Sequence, residues 1–124
     1  MAGKKILIAD DEKDVLLILE KNLRKNGYEV FAVADGREVV NKCNSAQPDL
    51  ILLDIAMPGM DGYSIAFKLR QIKAFENIPI IFMTAKELDY SGIQKRLDEL
   101  GKCDFLPKPF PFAELLSKIK ETIG

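Results

Sequence analysis

The sequence contains no histidine among its 124 residues. This absence excludes Ser-His-Asp and Cys-His hydrolases and zinc enzymes that use imidazole ligands. It also excludes any protein that stores a phosphoryl group on its own histidine. Chemistry in this chain therefore has to rest on carboxylates, hydroxyls and lysines.

Cysteines and long apolar runs are also scarce. Cys43 and Cys103 are too few for a disulfide scaffold, and we expect two reduced, mostly buried thiols. No apolar stretch approaches the length of a membrane span, and no apolar segment follows the initial MAGKK. We therefore expect no secretory signal, no membrane contact and a cytoplasmic location.

Charge of neither sign dominates. Lys and Arg total 18 and Asp and Glu total 19, for a net charge of −1, and no basic run exceeds two residues. A basic stripe is the usual signature of a nucleic-acid surface, so we expect no direct binding to nucleic acid.

Short apolar runs alternate with helical patterns along the chain. The runs predict five strands, at ILIA (6–9), YEVFAVA (28–34), DLILL (49–53), IPIIFM (78–83) and CDFL (103–106). Apolar residues spaced three and four apart predict five helices, at 14–27 with a stop at Gly27, 36–47, 63–74, 91–101 and 111–124. The pattern predicts an α/β fold, a doubly wound five-stranded parallel sheet in the flavodoxin-like order 2-1-3-4-5 with helices on both faces. The more mixed second strand is expected at an edge. We expect one domain over residues 1–124, with no output domain.

Polar residues follow four of the five apolar runs. They are Asp10, Asp11 and Glu12 after the first run, Asp54 after the third, Thr84 after the fourth and Lys108 after the fifth. The carboxyl ends of parallel strands meet at one edge, where ligands bind beside the switch point between the first and third strands. We therefore expect these side chains to gather there.

Each of these residues has an ordinary alternative when it is taken alone. Asp10 or Asp11 could cap the first helix, and a single threonine or lysine after a strand is usually exposed. Asp54 directly follows LILL, where an unpaired charge would be costly to bury. The combination is more specific than any one of its members.

These groups support phosphoryl transfer to a carboxylate. Adjacent carboxylates repel one another, and a bound Mg²⁺ would offset that repulsion. Asp54 would be the nucleophile that forms an acyl phosphate, while Lys108 and Thr84 neutralise the other phosphoryl oxygens. The turn residues Pro58, Gly59 and Gly62 after Asp54 could present a backbone carbonyl to the metal, and Pro109 is a candidate cis proline.

Four segments resemble the receiver domain of two-component response regulators: ILIADDE, DLILLDIAMPGMDG, IIFMTA and DFLPKPF. The resemblance implies that Asp10 and Asp11 are the acid pair, with Asp11 the more direct Mg²⁺ ligand. It implies that Asp54 accepts the phosphoryl group and that the carbonyl of Ala56 is a third protein ligand.

The resemblance also implies a conformational switch and partners. Thr84 and Phe105 match the switch residues, although Phe105 could instead be a plain core ring. Ala56, Ala85 and Lys86 match positions beside the phosphoryl group. The donor would be a histidine kinase or a histidine phosphotransfer protein, and a downstream effector would bind the surface of the fourth helix, fifth strand and fifth helix.

The chain departs from the family pattern near that surface. Pro107 stands where the family usually has Thr, Ser or Ala, and the usual GAD before the fifth strand is GKCD. The segment between Thr84 and Lys108 is about two residues longer than usual, with the extra length placed at 86–92. We therefore expect a shifted, shortened or irregular fourth helix.

Three alternatives differ in class. The complete set of acids, Thr84 and Lys108 argues against a phosphorylation-independent interaction module of the same fold, whereas the altered fourth helix leaves that alternative open. A flavodoxin-like nucleotide binder needs a phosphate loop rich in glycine and hydroxyls, whereas ADDEKD would repel phosphate. A haloacid dehalogenase-type hydrolase would need a second acid where Ala56 stands.

Overall fold

The computed structural model describes residues 3–57, 61–84 and 90–124, without the side chains of 84, 90, 91, 93 and 94. Its strands are β1 (Lys5–Ala9), β2 (Glu29–Val33), β3 (Leu50–Asp54), β4 (Ile80–Thr84) and β5 (Cys103–Pro107). Its helices are α1 (Lys13–Lys25), α2 (Val39–Ala46), α3 (Gly62–Arg70), α4 (Tyr90–Leu100) and α5 (Phe112–Ile123).

The five strands form one parallel sheet in the order β2-β1-β3-β4-β5. The predicted fold class and strand order are therefore confirmed, and β2 lies at an edge as expected. All five residues of β3 are buried, whereas Glu29 of β2 is exposed. This difference explains why β3 is a continuous apolar run and β2 a mixed one.

Helices cover both faces of the sheet, and alternate residues of each central strand face opposite cores. On one face, Ile6, Ile8 and Leu52 pack with α1 and α5. On the other, Leu7 and Leu53 pack with α2, α3 and α4. The apolar stripes that predicted the helices are the surfaces that bury these strands.

Helix α1 ends as the sequence predicts. Gly27 has a φ of +91°, a conformation that glycine adopts without a steric cost, and its N–H donates to the carbonyl of Arg24. The chain then turns directly into β2.

Helix α3 is shorter than the predicted helix at 63–74. It ends at Arg70, Ile72 is extended, and a 3-10 turn follows at Lys73–Phe75. Phe75 is buried in the core on the α3 side. The break lets the chain bury this ring on its way into β4, so tertiary packing overrides the helical pattern.

Two further features concern the helices. The predicted helix at 36–47 begins as a 3-10 turn at Gly36–Glu38 and continues as α2. Of the segment 86–92, where the extra length is predicted, residues 86–89 lie outside the described residues, and α4 is helical from Tyr90. In the part of the chain that the structure describes, no helix has the length and apolar character needed to cross a bilayer.

Candidate functional site

Three strand ends bring Asp10, Asp54 and Lys108 together at one edge of the sheet. Asp10 follows β1 and extends its pairing with β2, because its N–H donates to the carbonyl of Val33 at 3.2 Å. Asp54 is the last residue of β3. Lys108 follows β5, and the Lys108–Pro109 bond is cis, as predicted. Neighbouring parallel strands β1 and β3 thus place two carboxylates side by side.

The ammonium group of Lys108 lies among three carboxylates. Its Nζ is 2.7 Å from Asp10 Oδ2, 3.2 Å from Asp54 Oδ2 and 3.4 Å from Glu12 Oε1. The Asp10 side chain is fully buried and that of Asp54 is 8% exposed, whereas that of Glu12 is 62% exposed. One positive charge faces three negative ones, so the site keeps an excess of negative charge.

The same carboxylates could hold a metal ion. One oxygen from each of Asp10, Glu12 and Asp54 lies within 4.8 Å of the other two. Three hard oxygen donors with surplus negative charge fit a dication such as Mg²⁺. Among the described residues this group includes Glu12 and not Asp11.

The pKa of the Asp54 carboxyl is raised from 3.8 to about 6, mainly because the group is buried and also because the charge of Asp10 is nearby. The ammonium of Lys108 and the N–H of Ala56 oppose that rise. Burial also disfavours the charged form of Lys108, but its hydrogen bonds and ion pairs with Asp10 and Asp54 leave its pKa raised overall. The Asp54 carboxyl is therefore mostly ionised at neutral pH.

The segment after β3 holds Asp54 in place. The N–H of Ala56 donates to Asp54 Oδ1 at 3.2 Å, and the N–H of Gly62 donates to the carbonyl of Ile55 at 2.7 Å. A Cβ at Gly62 would lie 2.7 Å from the carbonyl oxygen of Asp54 and 2.9 Å from the Cα of Ile55. Only glycine lets α3 begin this close to the strand end. Pro58 and Gly59, also predicted as turn residues, lie outside the described residues.

The first helix is not capped by either of the aspartates that the sequence offers for that role. Neither Asp10 nor Asp11 caps α1, whose N-cap residue is Glu12, without a side-chain cap. Asp10 instead accepts from the N–H of Glu12 at 2.9 Å. The N-cap of α3 is Asp61, which accepts from the N–H of Ser64 at 2.9 Å.

The structure describes the remaining predicted site residues only in part. Thr84 ends β4, where its backbone pairs with Pro107, but its side chain is not described. Ala85 and Lys86 lie outside the described residues. Phe105 is half-buried and packs against the core on the α2, α3 and α4 side. That contact suits a core ring, and a switching role stays a prediction.

The chain matches a known family along most of its length. The family model for the response regulator receiver domain matches residues 6–120. Several solved structures are similar over nearly the whole chain. The receiver domain of a sensor histidine kinase from Pseudomonas aeruginosa, which has a magnesium ion coordinated in its active site cleft, is 36% identical, with 99% of each chain covered and a TM-score of 0.86.

Two further structures extend the comparison. The response regulator TrrA from Thermotoga maritima, in complex with Mg²⁺ and BeF, is 31% identical, covering 97% of this chain and 99% of TrrA with a TM-score of 0.82. The chemotaxis protein CheY4 of Vibrio cholerae is 29% identical, covering 98% of this chain and all (100%) of CheY4 with a TM-score of 0.90.

Proposed function

This chain belongs to the response regulator receiver domain family, and on that premise we propose that it accepts a phosphoryl group on Asp54. The observation that carries the proposal is the position of Lys108, whose ammonium lies within 3.2 Å of both Asp10 and Asp54 across three strand ends. This arrangement brings the buried carboxylate of Asp54, a cation and further carboxylates to one edge of the sheet, which supports the proposed role of Asp54 as the nucleophile.

The reaction transfers the phosphoryl group from a phosphohistidine of another protein, since this chain has no histidine of its own. A carboxylate oxygen of Asp54 attacks phosphorus, the P–O bond forms, and the P–N bond breaks with its electron pair going to the imidazole nitrogen. Lys108 is close enough to Asp54 Oδ2 to neutralise a phosphoryl oxygen, and the hydroxyl of Thr84 would donate to another. Water attack on phosphorus later releases inorganic phosphate and restores Asp54.

Mg²⁺ is the proposed cofactor. Asp10, Asp11, Asp54 and the carbonyl of Ala56 are its proposed protein ligands, and the surplus negative charge at the site supports a dication there. Glu12 is an additional candidate because its carboxylate oxygen belongs to the observed group. When bound, the ion screens the carboxylates from an anionic donor and offsets charge on the transferring group.

The proposed partners are a histidine kinase or histidine phosphotransfer protein as donor and an effector protein as target. Phosphorylation would draw Thr84 toward the phosphoryl group, move Phe105, and change the surface formed by α4, β5 and α5. We further propose that residues 1–124 act as a single receiver domain in the cytoplasm.

A phosphorylation experiment tests the proposal. The purified chain is incubated with acetyl phosphate and Mg²⁺, and the product is mapped by mass spectrometry. We expect a hydroxylamine-labile phosphoryl adduct on Asp54 that is lost when EDTA replaces Mg²⁺ and in the Asp54→Asn variant. Asp49→Asn is the matched control, because Asp49 lies just before the same strand at its opposite end and accepts from the N–H of Lys5 at 2.8 Å.

The outcomes separate the alternatives. Absence of an adduct from the folded wild-type chain would favour the phosphorylation-independent interaction module. Equal labelling with and without Mg²⁺ would leave Asp54 as the acceptor but reject the proposed cofactor. Loss of labelling in Asp49→Asn as well would mean that the effect of Asp54→Asn is not local.

A further inference from the structure

A groove of about 430 Å³ lies between α3 and α4. Helix α3 contributes Tyr63, Phe67 and Lys68 to its lining, and α4 contributes Arg96 and Leu100. None of these residues takes part in the carboxylate site. The groove is therefore a separate feature of the surface.

Phe67 gives the groove an exposed aromatic ring. Its relative exposure is 59%, and the other strongly exposed large apolar side chains among the described residues are Leu17 and Ile18 of α1. Aromatic side chains are enriched at the buried centres of protein interfaces, where they contribute a large part of the binding energy. Because Phe67 lines a concave surface, its ring offers an apolar side chain of a partner a surface to pack against.

Two cationic side chains, Lys68 and Arg96, line the same groove. Within the described parts of the chain, no carboxylate oxygen lies within 4.0 Å of the Lys68 ammonium or the Arg96 guanidinium. The guanidinium of Arg96 lies 4.6 Å from the centre of the Tyr63 ring, which contacts Phe82 of the core at 5.2 Å. The Tyr63 ring holds the Arg96 guanidinium in place, while the N–H donors of the guanidinium remain available to a ligand. Glu99 is the acid in the described lining, so the groove has a net positive charge.

Arg70 fixes the relative positions of the two helices at one end of the groove. Its Nε donates to the carbonyl of Leu100 at 2.9 Å and its Nη2 to that of Gly101 at 2.9 Å. Its Nη1 donates to the carbonyl of Phe75 at 3.1 Å. These bonds attach the C-terminal end of α4 to α3, so the groove is preformed and a ligand would not bear the cost of ordering it.

We propose that this groove binds a segment of a partner protein in which an acidic side chain stands next to a large apolar one. The apolar side chain packs on Phe67, and the carboxylate pairs with Lys68 and Arg96. A nucleic-acid backbone is a poor alternative, because two cations beside Glu99 on a chain with net charge −1 do not make a phosphate-binding stripe. The proposal does not depend on phosphorylation of Asp54.

Peptide display on the unphosphorylated full chain tests this proposal. A random 12-residue phage library is selected on the immobilised protein, and the enriched peptide is synthesised with a fluorophore for anisotropy. We expect an enriched motif that joins Asp or Glu to an aromatic or large aliphatic residue. Phe67→Ser and Lys68→Glu should each weaken its binding at least tenfold.

Ile18→Ser is the matched control, because Ile18 is also 59% exposed but lies on α1. It should leave the affinity unchanged, and thermal unfolding should show that all three variants fold. Failure to enrich any peptide, or binding that survives both groove variants, would overturn the proposal. Concentration-dependent dimerisation that Phe67→Ser abolishes would instead assign the groove to a second copy of the chain. None of these results bears on labelling of Asp54, so the two proposals fail independently.

Discussion

Replacing Asp54 by asparagine is expected to stabilise the folded chain at neutral pH in the absence of divalent cations. The substitution removes an ion pair with Lys108, which would ordinarily suggest a loss of stability. The Asp54 side chain is nearly buried, however, beside the fully buried Asp10, and Lys108 retains Asp10 and Glu12 as partners. An asparagine oxygen can still accept from the N–H of Ala56. The cost of burying a second negative charge therefore decides the sign.

The pKa of Asp54 gives the size of the effect. A carboxyl group with a pKa of 3.8 when unfolded and about 6 when folded binds its proton more tightly in the folded state. The free energy of unfolding therefore falls as the pH rises through this interval, and the full cost applies above pH 6. Two units correspond to about 3 kcal/mol, which structural relaxation reduces to an expected gain of about 1–3 kcal/mol for Asp54→Asn. At pH 4 the gain should shrink to about 0.5 kcal/mol.

Urea unfolding in EDTA, at intervals between pH 4 and pH 8, measures this difference. Because the chain has no histidine, few other groups titrate near pH 6, and a slope there reports on Asp54. Asp49→Asn should change stability by less than about 0.5 kcal/mol at pH 7.5. The reasoning is refuted if Asp54→Asn is less stable than wild type at pH 7.5, or if its advantage is as large at pH 4. Adding Mg²⁺ at 100 times its dissociation constant should raise wild-type stability by about 2.7 kcal/mol and that of the variant by less.

Two further substitutions test the site. Lys108→Met should lower the free energy of unfolding in EDTA by about 3 kcal/mol, because it leaves two buried carboxylates without a counter-charge. The control Lys118→Met breaks a surface ion pair with Asp104 and should lower it by under about 1 kcal/mol. Equal losses in the two variants would contradict the burial assigned to the Lys108 site. Gly62→Ala should cost about 2 kcal/mol or more and reduce phosphorylation, because its Cβ would meet backbone atoms of Asp54. Gly27→Ala meets open space and should cost about 1 kcal/mol through its positive φ alone, with normal labelling, so full labelling of Gly62→Ala would show that the close approach is dispensable.

The strand order and the two cores could be predicted because each depends on a repeated pattern. Continuous apolar runs such as LILL identify strands buried on both faces, and right-handed crossovers then leave few topologies. The end of α3 could not be predicted in this way. Ile72 continues the helical spacing of apolar residues, but the helix has already ended, and the 3-10 turn that follows buries Phe75 in the core. The site that buries Phe75 exists only once the sheet and its helices have assembled, so local spacing does not reveal it.

In the candidate site, too, part of the side-chain arrangement could be predicted from the sequence and part could not. That Asp10, Asp54 and Lys108 would meet follows from the rule that parallel strands end at one edge, and their distances agree with it. Which of the adjacent acids turns toward them does not follow. Glu12, the residue before α1, has an extended backbone, and its longer side chain reaches Lys108, while the Asp11 carboxylate is not part of the cluster formed by the described residues. The third acid of the DDE run was the available signal, but its direction depends on local dihedral angles.

The cost of burying Asp54 and the proposed function have the same physical origin. Without a bound cation, the fold would be more stable with a neutral residue at position 54. The three carboxylates of Asp10, Glu12 and Asp54 share one lysine, so negative charge is in excess at the site. A dication bound there would recover that free energy only in the folded state, so its binding would be coupled to folding. Transfer of a phosphoryl group to Asp54 would change the charge at the same point. The chain's stability should therefore depend on both events, and the size of that dependence is set by how far Asp54 is removed from water.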